Sequence, residues 1–156
     1  MGNNEQIISN DVKYLNYKEQ NKRLKKALNE HFYLEALFIE YAIIEDRTES
    51  ILRYENNQMN PKKRSSIESK LNKIKTIARE KKGLANKYFS EAFIDEILNW
   101  KEKRNSLIHA LMKQVLTTDE LETIAFQGKE LSQKLSSKST LYKKAVEKLL
   151  NQQIKG

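Results

Sequence analysis

Apolar residues recur at steps of three and four along nearly the whole chain, and that rhythm restricts it to helices. Leu34, Leu37, Phe38, Tyr41, Ile44, Ile51 and Leu52 fall on one face and predict a helix over 32–54. A more polar helix is expected before it, over 17–29. Ile67, Leu71, Ile74 and Ala78 predict a third, with Ser65 or Ser66 as its N-cap and Lys81, Lys82 and Gly83 at its end. Ser90 has the hydroxyl of the next N-cap, followed by a helix over 91–114. Thr118 is the expected cap of the last helical region, where Leu121, Ile124, Ala125, Leu131, Leu135, Tyr142, Ala145 and Leu149 keep the period. The serines within 136–139 leave open whether that region is one helix or two. Four glycines and one proline are too few for a turn-rich β fold, and no segment alternates as a strand. The expectation is all-α, an up-and-down bundle of four to five helices over 17–152, after a polar segment over 1–16.

Composition narrows the function. With no cysteine, the chain has neither disulfides nor a thiol nucleophile. The polar first residues argue against a signal peptide, and no apolar stretch is long enough to span a bilayer, so a soluble cytoplasmic protein with no membrane partner is expected. Lys and Arg number 29 against 21 Asp and Glu, a formal charge of +8, which suits a polyanion such as RNA. A lysine-rich solvated surface would carry the same charge. The basic loop around Pro61, with Lys62, Lys63 and Arg64, is explained equally well by phosphate contact or by solvation.

The fourth predicted helix departs from pure packing. Its main stripe is Phe93, Ile97, Trp100, Leu107, Ile108, Leu111 and Val115. The period demands an apolar side chain near 104, where Arg104 stands instead. A cation in a core-facing row is costly unless it is paired or used. Beside this stripe runs a second row of Ile94, Leu98, Asn105, His109, Met112 and Leu116, in which Asn105 and His109 are neighbours at a spacing of four. One helix with two apolar rows has more to bury than one bundle covers, and a homodimer is the simplest way to cover the second. Glu45, central on the 32–54 stripe, is the expected carboxylate partner of Arg104. Lys101, Lys103 and Lys113 flank the pair and are candidates to steer RNA. Trp100 and Phe93 share the stripe and are read as core, and His31, near a helix junction, as structural or exposed.

Residues 104–109 read Arg-Asn-Ser-Leu-Ile-His, and this resembles the signature of the HEPN superfamily, an arginine followed by a polar residue with a histidine a few positions on. The flanking text over 100–111 and the helix over 35–53 are similar to that family's core helices. The resemblance implies a metal-independent endoribonuclease without cofactors, of toxin or phage-defence type, with a composite site of Arg104, Asn105 and His109 from two subunits. It implies His109 as general base toward a ribose 2′-hydroxyl and Arg104 as stabiliser of the phosphoryl charge. An antitoxin protein is a possible partner. The tyrosine that one toxin subgroup carries two residues after the histidine is Leu111 here, which argues against control by nucleotide transfer to that position. The other reading of the same residues is a non-catalytic helical dimer that binds RNA or a protein through this face.

Overall fold

A computed structural model of the chain describes residues 9–55, 65–80 and 83–156. The basic loop around Pro61 and the expected C-cap lysines Lys81 and Lys82 lie outside the described residues. All regular structure in the described residues is helical, in the order α1 (Asn10–Asn29), α2 (Tyr33–Tyr54), α3 (Ile67–Glu80), α4 (Ala85–Tyr88), α5 (Glu91–Ala110) and α6 (Thr118–Lys155). Among the described residues six helices therefore stand where four to five were expected; the addition is the single turn of α4.

Local chemistry sets the boundaries. Helix α1 begins seven residues earlier than the apolar rhythm suggested, because Ser9 accepts a hydrogen bond from the Val12 amide and caps it. It ends where the amides of His31 and Phe32 return to the carbonyls of Leu28 and Ala27, with His31 in the left-handed turn at φ 62°. His31 is thus the hinge of the α1–α2 corner, and its Nδ1 lies 2.6 Å from the Tyr33 hydroxyl. Ser66, not Ser65, caps α3, and Ser90 caps α5 as expected. Helix α5 stops at Ala110, four residues short of the predicted end. Thr117 rather than Thr118 caps α6, in a reciprocal box with Glu120.

Helix α6 runs unbroken for 38 residues, roughly 57 Å at the standard rise. Its serines do not divide it. Ala125, Gly128, Ser132 and Ser139 are buried among Ile124, Leu131, Leu135 and Tyr142, and their small size lets α2 pack closely along the helix. Helix α2 is central, touching α1, α3 and α6, while α5 packs on α3 and α6. The core joins Leu37, Ile44, Ile51, Leu71, Phe89, Ile97, Trp100 and Tyr142 in one cluster. No helix among the described residues is long and apolar enough to cross a membrane.

Candidate active site on helix α5

Phe93, Ile97 and Trp100 point from α5 into the core, and the Trp100 indole donates to the Ile124 carbonyl of α6 at 2.9 Å. Arg104 continues this row one turn later and is buried as well. Its guanidinium lies 4.2 Å from the Tyr41 ring centre and 5.4 Å from that of Phe38. Aromatic faces attract a cation held at this distance. Nη1 donates to Asn105 Oδ1 at 2.9 Å, while Nε has no hydrogen-bond partner within the protein. Burial pulls the arginine's pKa down, while Tyr41 and Glu40 act the other way. Arginine ordinarily titrates so far above neutrality that it remains charged.

Beneath it lies a carboxyl that the apolar pattern did not single out. Glu40 is wholly buried and neither carboxyl oxygen has a hydrogen-bond partner within the protein. Its space exists because position 128 is glycine: a Cβ there would lie 2.2 Å from Glu40 Oε2 and 2.6 Å from Trp100 Cζ2. Burial pushes the Glu40 carboxyl up to about 9, against the opposing pull of Arg104 and Lys129. At neutral pH it therefore holds its proton, and among the described residues Arg104 has no ionised carboxylate bound to it. A desolvated, unneutralised guanidinium is the arrangement that favours an incoming anion.

This has a consequence for stability. Between the ordinary carboxyl range near 4.5 and about 9, folded Glu40 keeps a proton that the unfolded chain releases. Stability therefore falls as pH rises through that window, at a slope of up to about 1.4 kcal/mol per pH unit. Glu40→Gln is expected to flatten that fall, so that denaturant melts at pH 5.5 and 8.5 differ less for the variant than for the parent. Equal differences for both proteins would mean that Glu40 is not held protonated.

The expected partnership of Arg104 with Glu45 is replaced. Glu45 is partly exposed and pairs with Lys70 of α3 at 3.6 Å, and Glu49 contacts the same lysine. The buried stripe of α2 is turned about one position from the predicted one, running through Ala36, Leu37, Glu40, Ile44 and Thr48, with Phe38 exposed and Tyr41 half-buried. Glu40 sits three residues after Leu37 and four before Ile44, the spacing by which the sequence could have disclosed it. Lys101 is also reassigned. It is buried and bonded to Glu68 and Glu102, each at 2.7 Å, so it ties α5 to α3 rather than facing solvent. Lys103 and Lys113 are exposed.

His109 is exposed on the last turn of α5 and makes no hydrogen bond among the described residues. It lies one turn beyond Asn105 on the same side of the helix. Arg104 and Asn105 are thus joined directly, and His109 stands at the outer edge of the row. Past it, Met112 and Val115 are 96% and 98% exposed, while Leu111 and Leu116 are half-buried. The N-terminal half of the second apolar row, with Ile94, is inside the bundle; the C-terminal half is open. Among the described residues no group of three or more His, Cys, Asp or Glu side chains could hold a metal ion. Compared with known proteins, the chain matches no family model, no curated protein and no solved structure.

Proposed function

We propose that this chain is a metal-independent endoribonuclease of the HEPN kind, working as a homodimer whose α5 helices meet and combine two copies of Arg104, Asn105 and His109. The observation that carries the proposal is Arg104 itself: a desolvated guanidinium, oriented by Tyr41 and Asn105, with the buried Glu40 carboxyl nearby making no hydrogen bond within the protein. A bundle that needed only a core would place an apolar side chain there. The exposed Met112 and Val115 support a second copy as the cover of this face.

In the reaction, neutral His109 of one subunit takes the proton from a ribose 2′-hydroxyl. The 2′-oxygen forms a bond to the adjacent phosphorus, and the bond from phosphorus to the 5′-oxygen breaks. Arg104 stabilises the charge that builds on the non-bridging oxygens. His109 of the second subunit supplies the proton to the leaving 5′-oxygen. The products are a 2′,3′-cyclic phosphate and a 5′-hydroxyl. Exposed Lys103 and Lys113 draw the strand toward the site. An antitoxin protein that covers the same face would silence the enzyme.

The route makes the 2′-hydroxyl indispensable. In EDTA the protein is expected to cut single-stranded RNA to cyclic-phosphate ends and to leave the same sequence intact when its riboses are 2′-deoxy. Cleavage of the deoxy strand, or activity only after divalent metal is added, would remove this mechanism.

A further inference from the structure

A second cationic site lies on another face of α2. Arg47 is six residues beyond Tyr41, about a third of a turn around the helix. It borders a cleft of about 520 Å³ between α1, α2 and α6, which Lys13, Arg53 and Lys143 also line. The cleft contains two acids, and both are engaged. Asp46 accepts from the Tyr17 hydroxyl and pairs with Lys13 at 3.0 Å, and Glu49 is bound to Lys70. Among the described residues Arg47, Arg53 and Lys143 have no carboxylate partner.

These cations are combined with aromatic rings. Arg47 is fixed 4.0 Å above the Tyr17 ring centre, and its buried Nε has no hydrogen-bond partner within the protein. Lys143 lies 5.4 Å from the ring centre of Tyr54, and Tyr14 stands 68% exposed at the edge. Cations in a groove with rings at hand are the chemistry that holds a nucleic-acid strand without reading its sequence: phosphates meet the charges and a base stacks on a ring. An acidic peptide would use the cations and leave Tyr14 idle.

We propose that this cleft is a binding site for the phosphodiester backbone of single-stranded RNA, separate from the residues around Arg104, with Arg47, Arg53 and Lys143 as phosphate contacts and Tyr14 as the stacking surface. The cleft binds the strand and takes no part in bond breaking. It deepens the nuclease reading if that holds, as a hold on the substrate strand away from the scissile bond, and it is testable if cleavage is never observed.

The test is fluorescence anisotropy with a labelled single-stranded RNA over a salt series, using the full chain carrying His109→Ala so that the strand survives. Arg53→Gln combined with Lys143→Gln removes two surface phosphate contacts. The slope of log affinity against log salt is expected to become shallower by about 1.4, at roughly 0.7 per contact. Lys22→Gln with Lys25→Gln, two exposed lysines of α1 outside the cleft, removes the same charge and is expected to change the slope much less. Tyr14→Ala is expected to weaken binding about tenfold with the slope unchanged. Equal loss from the control pair would reduce the site to diffuse attraction by a basic surface. Displacement of the RNA by polyglutamate as readily as by unlabelled RNA would make the cleft a site for acidic protein. Either result overturns the proposal. Failure of the nuclease reading would appear in cleavage assays and leave these binding curves unaltered.

Discussion

Gly128→Ala is expected to lower the melting temperature by about 5–15 °C, although alanine is the better helix former. Position 128 lies inside α6, about three turns from its start, where exchanging glycine for alanine would by itself add up to about 1 kcal/mol. The new methyl carbon would stand 2.2 Å from Glu40 Oε2 and 2.6 and 2.7 Å from two carbons of the Trp100 indole. The carboxyl end can move. The indole cannot move freely, because its Nε1 is bonded to the Ile124 carbonyl and its ring is fully enclosed. Overfilling a packed core costs about 1–3 kcal/mol and more where the neighbour is rigid; contacts this short against a fixed indole put the gross cost at about 3–5 kcal/mol, so the net loss is expected at about 2–4 kcal/mol. Glu40→Ala placed in the Gly128→Ala background should recover part of it, because it removes one of the two collisions. The two substitutions should therefore be non-additive in chemical denaturation. A Gly128→Ala protein as stable as the parent would show that α6 does not approach Glu40 and Trp100 this closely.

The same triplet shows where the sequence was legible and where it was not. Apolar spacing disclosed the helical class and the stripe of α3, and hydroxyl residues disclosed the cap of α5. It also disclosed Arg104 as the anomaly of α5, because a cation in a row with Phe93, Ile97 and Trp100 breaks the period. Glu40 was less visible. Helix α2 has apolar residues on several sides, including the exposed Leu34 and Phe38, so its buried face could be placed only to within about one residue. That offset places Glu45 rather than Glu40 on the stripe that the spacing predicts. Gly128 gave no signal by itself: a lone glycine within an apolar rhythm becomes informative only once a tryptophan and a carboxyl are seen to occupy the space above it. The buried place of Lys101 is hidden in the sequence for a related reason. Lysine is expected at the surface, and only the approach of α3 brings Glu68 to its ammonium group. The serines within 136–139 look like a break because serine competes for backbone hydrogen bonds, yet Ser139 is buried as a small contact residue and the helix runs through it.

Arg104 and His109 are expected to be indispensable for cleavage for different reasons. Arg104→Ala removes the charge that would meet the phosphoryl oxygens, an effect of about 100- to 1,000-fold where such stabilisation has been dissected. It also leaves a cavity under Tyr41, so some loss of stability accompanies it. His109→Ala removes the proposed proton carrier, for which the expected effect is about 100- to 10,000-fold. His109 is exposed and makes no hydrogen bond among the described residues, so its removal should leave the melting temperature within about 2 °C of the parent. That contrast makes His109 the cleaner probe. The most direct measurement is therefore the rate of RNA cleavage in EDTA by the parent and His109→Ala, with Arg104→Ala alongside and the folding of each checked by thermal melting. The account predicts that the parent cuts and that His109→Ala, folded as firmly as the parent, is slower by at least about 100-fold. A His109→Ala protein that cuts as fast as the parent would contradict it, as would a parent that cuts no RNA at all.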